Sequence, residues 1–327
     1  MALSVNPLPR YMGMMAELGS SNQLILFGGR TTADNSYGSL LNESFNWDGS
    51  KWNLISTGIS GNTLTLPSPR HSAAMAYDGT YVTMVGGANA IRNLTDTYSY
   101  SVGTGWFKQA ITDTVSATTN TYTIPTKLHG ASMAYQSGVG GGTALLFGGE
   151  ASSQRHYSKD LFTWTAGNPG SWVADSPTTS PSGRTYCSMA SNSTTALVFG
   201  GKSFGGPLAT SFTYSSGNFT QVATGQTPGI SSPAARYGAS MVWNAATSSF
   251  IMMGGLTANA YSNECWSFSL VSNTWTKVAG GPPGRAYAQM AYHTASSSVI
   301  LFSGLSADRV LTDTWSMSSS GVWTQLG

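Results

Sequence analysis

Charge is what this chain has least of. Asp, Glu, Lys and Arg make up 9% of its 327 residues, where about a quarter is usual, and the formal net charge is only +2. Without a run of basic residues, the sequence offers neither the electrostatic footprint of a nucleic-acid binder nor the polybasic patch of a membrane-surface protein, so neither partner is expected. Cysteine is as scarce: Cys187 and Cys265 are no disulfide framework. Both are expected to be free thiols, because Cys265 lies between Glu264 and Trp266 and so points to the opposite strand face from its acidic neighbour. No apolar run reaches the roughly 18 residues of a membrane span. The opening MALSVNPLPR lacks the charged and apolar regions of a signal peptide. HExxH, G-x-S-x-G and P-loop motifs are missing, and the glycines of SGVGGGT at 137–143 fall in an expected hairpin turn.

What the chain does have is a repeat on a polar, Ser/Thr-rich background, with 40% hydrophobic residues to fill a core. Six units end in a glycine pair or its relic: LFGG at Gly29, MVGG at Gly87, LFGG at Gly149, VFGG at Gly201, MMGG at Gly255 and LFSG at Gly304, spaced by 58, 62, 52, 54 and 49 residues. Each copy starts with an arginine followed five residues later by methionine: Arg10 and Met15, Arg70 and Met75, Arg184 and Met189, Arg236 and Met241, Arg285 and Met290. The third copy keeps Met133 but has Leu128 in the arginine's place. An apolar run then leads into the glycines, which are expected to let the backbone turn where a neighbouring unit crowds it. After a variable loop comes an acid ahead of alternating aromatics: Glu43, Asp96, Asp160, Glu264 and Asp313, with Thr210 in the fourth copy. A last short strand opens on Trp52, Trp106, Trp172, Phe219, Trp275 or Trp323.

A period near 50 residues with a glycine-pair signature resembles the kelch family, over residues 10 to 327. The resemblance implies an all-β, six-bladed β-propeller with four antiparallel strands per blade, like the central domain of galactose oxidase. The whole chain, 1–327, is expected to be one domain with blades at about 10–57, 68–107, 127–174, 182–222, 234–278 and 283–327. Because the first and last blades each have all four strands, no strand-swapped closure is expected. Large rings at fixed positions would fill the wedges between radiating sheets.

Five of the scarce arginines and five acids recur in register, so they are expected to be structural ion pairs, since buried charges persist where paired. One copy lacks the arginine and the next lacks the acid. Pairing each arginine with the acid of the following blade puts both vacancies in one pair, which predicts Arg10–Asp96, Arg70–Asp160, Arg184–Glu264, Arg236–Asp313 and, across the ends of the chain, Arg285–Glu43.

In a four-stranded blade the loop between strands two and three leaves on the same face as the link to the next blade. Here those segments are the long ones, as at 30–42, 107–126, 150–158 and 220–235, whereas the opposite turns are tight, as at 77–80 and 272–274. Variable loops on a rigid scaffold are where binding usually sits. Their candidate binding residues are Tyr37, Arg92, Arg155, His156, Tyr157, Phe204, Tyr261 and Arg309, rings and guanidinium groups suited to stacking on sugars or gripping a partner's acids.

No catalytic or metal-ligating residue is assigned, and no cofactor is expected. His71 and His129 share one repeat position and read as strand residues. Within the superfamily, copper radical oxidases combine two histidines with a cross-linked Tyr–Cys pair, which cannot be placed around either cysteine here. Iron-dependent specifier proteins use an ExxxDxxxH segment that this sequence lacks. Sialic acid mutarotases are six-bladed without a metal. The leading reading is therefore a non-catalytic binding or structural propeller that engages a protein assembly or surface glycan through its loop-rich face. An uncharged polar surface without an export signal suits an extracellular or virion-surface setting, with the cytoplasm left open. The alternative is a metal-independent sugar-acting enzyme similar to the mutarotases, or more remotely a copper radical oxidase relative. An enzyme would require His or acidic residues converging with an arginine near the central channel. An adaptor of ubiquitin ligases is not expected, because nine residues ahead of Arg10 leave no room for a BTB-type domain.

Overall fold

Glycine pairs, periodic aromatics and alternating burial shape this chain into six four-stranded antiparallel sheets, each made from one contiguous stretch of sequence. The structure is a computed structural model that describes residues 6–19, 21–32, 39–55, 66–111, 125–126, 128–138, 141–151, 156–222 and 225–326. In the first blade the strands are Met14–Leu18, Gln23–Phe27, Ser44–Trp47 and Trp52–Leu54, paired in sequence order. The first strands (Met14–Leu18, Ala74–Tyr77, Ser132–Gln136, Ser188–Ser191, Ser240–Asn244 and Gln289–His293) neighbour one another in a ring, the last against the first, and so line the axis. The result is a six-bladed β-propeller without strand exchange, and among the described residues it has no α-helix.

Second strands such as Val82–Val85 and Ser249–Met253 are buried along their whole length, as expected of a sheet covered on both faces. Burial falls outward, until in the fourth strands mainly the opening ring is covered: Trp172 is buried, while Ser171, Val173 and Ala174 around it are exposed. Six apolar clusters hold the blades together, each shared by two neighbours. The fourth-strand indoles also read the preceding blade by hydrogen bond. Trp52 Nε1 donates to Thr314 Oγ1 at 3.2 Å, Trp106 to Ser44 Oγ at 2.8 Å, Trp172 to Thr97 Oγ1 at 3.0 Å and Trp275 to Ser211 Oγ at 3.1 Å. Where the preceding blade has Leu161 in the hydroxyl's place, the ring is Phe219, which has no N–H to satisfy. Trp323 packs with Cys265. Cys187 and Cys265 are both free and buried.

The ion pairs form within blades, which corrects the expected pairing with the next blade. Arg10 meets Glu43 at 3.1 Å, Arg70 meets Asp96 at 2.6 Å, Arg236 meets Glu264 at 2.6 Å and Arg285 meets Asp313 at 2.7 Å. The geometry explains why. Each guanidinium donates from Nη1 to the carbonyl of the first residue of its own glycine pair, as Arg70 does to Gly86 at 3.1 Å and Arg236 to Gly254 at 3.0 Å. That turn lies beside the start of the same blade's third strand, where the acid sits. Arg184, whose blade has no acid, donates to Thr210 Oγ1 at 3.1 Å and to the Gly200 carbonyl at 2.8 Å. The Thr210 hydroxyl thus takes the place that a carboxylate has in the other four arginine-bearing blades, so a missing acid does not mean a missing partner. Burial draws the Arg10 guanidinium down to about 10 despite Glu43. Burial also works against ionisation of Glu264, yet hydrogen bonds from Arg236, Lys277 and Trp266 hold it at about 2.

The arginines do join blades, but through their main chains. The second glycine of each pair donates its N–H to the carbonyl at the next blade's arginine position, as Gly29 does to Arg70 at 2.9 Å and Gly149 to Arg184 at 2.9 Å. This crowding is what the glycines accommodate: a Cβ on Gly28, at φ +61°, would sit 2.6 Å from the Arg70 oxygen. The sixth blade has Ser303 there at φ 57°, and its Oγ accepts from the Arg10 N–H at 2.9 Å and lies 2.7 Å from the Arg10 carbonyl oxygen. This serine, together with Gly304 N–H to Arg10 O at 3.0 Å, closes the propeller where an Arg285–Glu43 pair was expected.

Candidate functional site

Two residues after each arginine position the chain adopts a left-handed conformation, with φ between 52° and 68° at Met12, Ser72, Gly130, Tyr186, Gly238 and Tyr287. There each N–H donates to the same position of the preceding blade: Met12 to Tyr287 (3.0 Å), Ser72 to Met12 (2.8 Å), Gly130 to Ser72 (3.0 Å), Tyr186 to Gly130 (2.7 Å), Gly238 to Tyr186 (2.9 Å) and Tyr287 to Gly238 (2.7 Å). Six amides form one closed circle around the axis. The circle lies on the loop-rich face, where the first strands begin. Beneath it the repeating methionines Met15, Met75, Met133, Met189, Met241 and Met290 line the channel around a cavity of about 230 Å³.

Immediately ahead of the circle, the residue after each arginine position bridges to the residue after the glycine pair: Tyr11 to Arg30, His71 to Ala88, His129 to Glu150, Thr185 to Lys202, Tyr237 to Leu256 and Ala286 to Leu305. These bridges carry the two innermost strands up into a mouth that holds Arg30, Glu150, Lys202, both histidines and several tyrosines. Rings pass contact around it: His71 to His129 (5.3 Å between centroids), His129 to Tyr186 (5.5 Å), Tyr186 to Tyr287 (5.2 Å), and Tyr287 to Tyr11 (6.4 Å) and Tyr237 (6.2 Å).

Within the mouth a hydrogen-bonded chain runs across three blades. His71 Nδ1 lies 2.9 Å from Ser72 Oγ, which lies 3.2 Å from the Tyr186 hydroxyl; that hydroxyl is 2.9 Å from His129 Nε2, and His129 Nδ1 is 3.1 Å from Glu150 Oε1. Burial raises the Tyr186 phenol well above its ordinary range, so it stays protonated and donates. With Tyr186 donating to Nε2, the other nitrogen of His129 carries the hydrogen that reaches Glu150. Burial, with the charges of His129 and Arg30, pulls His71 down to about 3, which leaves it neutral at physiological pH. The side chains of His129 and Glu150 remain 19% and 23% exposed, enough to touch a ligand. Such a chain can take a proton at one point and return one at another. Among the described residues, no three His, Cys, Asp or Glu side chains come together as a metal-binding group.

Most residues expected to bind lie on the rim outside this cluster. Arg92 ends an exposed turn with Asn89, and Arg309 ends the corresponding turn with Ser306. Phe204 tips a small hairpin at 88% exposure. His156 is exposed, and its neighbour Tyr157 is half-buried and pairs with Glu150. Tyr261 bridges to Leu256, and with Tyr157 it lies close enough to Tyr237 to add to burial in raising that phenol. Tyr37 and Arg155 lie outside the described residues. His71 and His129, expected as ordinary strand residues, belong to this cluster together with Arg30, Ser72, Glu150 and Tyr186, none of which was an expected site residue. The available signal was the residue beside each repeating arginine, aromatic or imidazole in four of six copies: Tyr11, His71, His129 and Tyr237.

No family model matches this chain, and no curated protein matches it. Among solved structures 405 chains match. One of them, the structure of YjhT, superposes over 100% of both chains with a TM-score of 0.69 at 15% sequence identity. At that identity the likeness establishes the propeller fold alone.

Proposed function

We propose that the chain is a sugar-acting enzyme that needs only acid–base chemistry, interconverting the anomers of a reducing sugar at the mouth of its channel. The observation that carries this reading is the convergence of His71, His129 and Glu150 with Arg30 at that mouth, the arrangement required of an enzyme on this scaffold. Opening a cyclic hemiacetal takes a base for the anomeric hydroxyl and an acid for the ring oxygen. Glu150, at the exposed end of the chain, accepts the anomeric proton; the hydrogen on His129 Nδ1, kept there by Tyr186 donating to Nε2, goes to the ring oxygen, and the proton taken by Glu150 then replaces it. Arg30 supplies the positive charge that orients an oxygen-rich or anionic ligand. The kelch resemblance, with its mutarotases, supports the same class.

The test is to dissolve pure anomers of neutral sugars and of N-acetylneuraminate and follow their equilibration by NMR exchange or polarimetry. Acceleration of at least one sugar is expected, falling by about 10²- to 10⁴-fold in His129→Asn or Glu150→Gln. Equilibration of every sugar at its spontaneous rate would sink the reading.

A second reading is favoured by Ile91, Phe204 and Ile230, apolar side chains 81%, 88% and 81% exposed on the loop-rich face. They suit docking onto a protein assembly, the exterior role expected from composition. Replacing Arg92, Tyr157 and Tyr261 together by Ala would abolish that binding while leaving the melting temperature almost unchanged.

A further inference from the structure

The loops after the glycine pairs differ in length, and the difference opens a groove. In the fifth and sixth blades the chain turns back within four residues, Thr257 N–H donating to the Ala260 carbonyl at 3.0 Å and Ser306 N–H to Arg309 at 2.9 Å. Both turns are braced by their own side chains: Thr257 Oγ1 accepts from Ala260 N–H at 3.0 Å, and Ser306 Oγ donates to the Arg309 carbonyl at 2.9 Å. The fourth blade instead raises a hairpin, Lys202–Ser203 against Gly206–Pro207. Between that hairpin and the two low turns lies a cleft of about 820 Å³, in the upper part of the roughly 300–1,000 Å³ range of small-molecule sites.

Its lining has the chemistry of sugar recognition. Tyr237 and Tyr261 offer half-buried rings on which the C–H face of a pyranose stacks. The Lys202 ammonium stands 5.5 Å from the centroid of Tyr237, fixed over one ring. Asn259 and Asp308, exposed on the braced turns, present an amide and a carboxylate to hydroxyl groups at the edge. Lys202 is the only Lys or Arg among the described residues that line the cleft, which therefore suits a polyhydroxylated ligand better than a polyphosphate.

The cleft adjoins the mouth. Tyr237, one of its walls, contacts Tyr287, which contacts Tyr186 of the hydrogen-bonded chain. We propose that the cleft is a subsite for the body of a saccharide chain whose end residue occupies the mouth, so that the ligand is an oligosaccharide rather than a single sugar. This rests on the sugar-acting reading of the mouth and adds to it where the rest of the substrate lies.

The test uses binding alone, measured by calorimetry with tetrasaccharides of chitin, β-glucan, galactan and α2,8-linked sialic acid, each beside its monosaccharide. Every saccharide is also tested with its reducing end converted to the alditol, which cannot anomerise. One class is expected to bind at least 10-fold more tightly as the tetrasaccharide, in both free and reduced forms. In Tyr261→Ala and in Asp308→Ala that gain should shrink towards onefold, while melting temperature stays within about 2 °C of the parent. Absence of any length-dependent gain, or a gain unchanged in both variants, overturns the subsite. A gain that both variants abolish, in a protein that accelerates no anomer, keeps the cleft as a saccharide site and removes the acid–base reading of the mouth.

Discussion

Arg236 and Tyr237 are adjacent in the chain and belong to different worlds. Arg236 stands in a layer where five blades do the same thing: a fully buried guanidinium bonded to its own glycine turn and to the start of its own third strand. Tyr237 stands in a layer where the six blades offer Tyr11, His71, His129, Thr185, Tyr237 and Ala286, four residue types over six copies. A repeat protein keeps its shape where its copies agree and gains its chemistry where they differ, and here the two lie one peptide bond apart.

The sharpest way to break this contrast is to truncate each neighbour in turn. Arg236→Ala empties a fully buried site, leaves the Gly254 carbonyl without the guanidinium and removes one of the three donors to Glu264, and is expected to cost about 3 kcal/mol in reversible denaturation. Tyr237→Phe is expected to change stability by less than about 0.5 kcal/mol while weakening any ligand at the mouth. Equal losses would mean that the mouth layer is structural after all.

Acidification separates the layers by pH. His71 binds its proton at about 3 in the folded protein against 6.5 ordinarily, so between those values the unfolded chain takes up a proton that the native one refuses. Its contribution is full above pH 6.5 and drains as the pH falls towards 3, with a slope of up to about 1.4 kcal/mol per pH unit. Glu264, held at about 2, acts in a lower window: its contribution is present above about 4.5 and is lost as the pH falls to about 2. Urea denaturation across pH 7 to 3 should show His71→Asn flattening the upper part of this decline and Glu264→Gln the lower. A His71→Asn curve parallel to the parent's would contradict the buried neutral imidazole.

Smaller changes sharpen the comparison. Trp275→Phe removes the indole N–H that Ser211 accepts, for an expected loss of about 1 kcal/mol, whereas Phe219→Trp would place a donor against Leu161 with no hydroxyl to receive it. Smallest, Thr210→Asp gives Arg184 the carboxylate that its four counterparts have, with an expected gain of a few tenths to about 1 kcal/mol at neutral pH, read as a rise in melting temperature.

The propeller was legible because its punctuation has a physical cause. Glycine stands first in the pair in five of six blades, where at Gly28 the neighbour's carbonyl comes to 2.6 Å of a would-be Cβ, and a ring fills each wedge. The partners of the arginines were not legible, because inference from missing residues assumed that only an acid satisfies a guanidinium; Thr210 and backbone carbonyls serve as well. The mouth was hidden for the opposite reason. Its residues come from different repeat positions, Arg30 and Glu150 after the glycines, His71 and His129 beside the arginine position, Tyr186 one place further, and no periodic search aligns them. Their convergence depends on the bridges that lengthen the inner hairpins beyond the glycines.

The circle of six amide hydrogen bonds carries an electrostatic consequence. Its peptide dipoles follow one another head to tail around the axis, so their components along the circle sum to nothing, unlike the parallel dipoles of a helix, which add. The ring of bonds thus contributes no net dipole in the plane of the opening. In that plane the field that greets an arriving ligand is set by side chains, Arg30 and Lys202 against Glu150, and their summed charge changes sign only when one of the two cations is replaced by an acid.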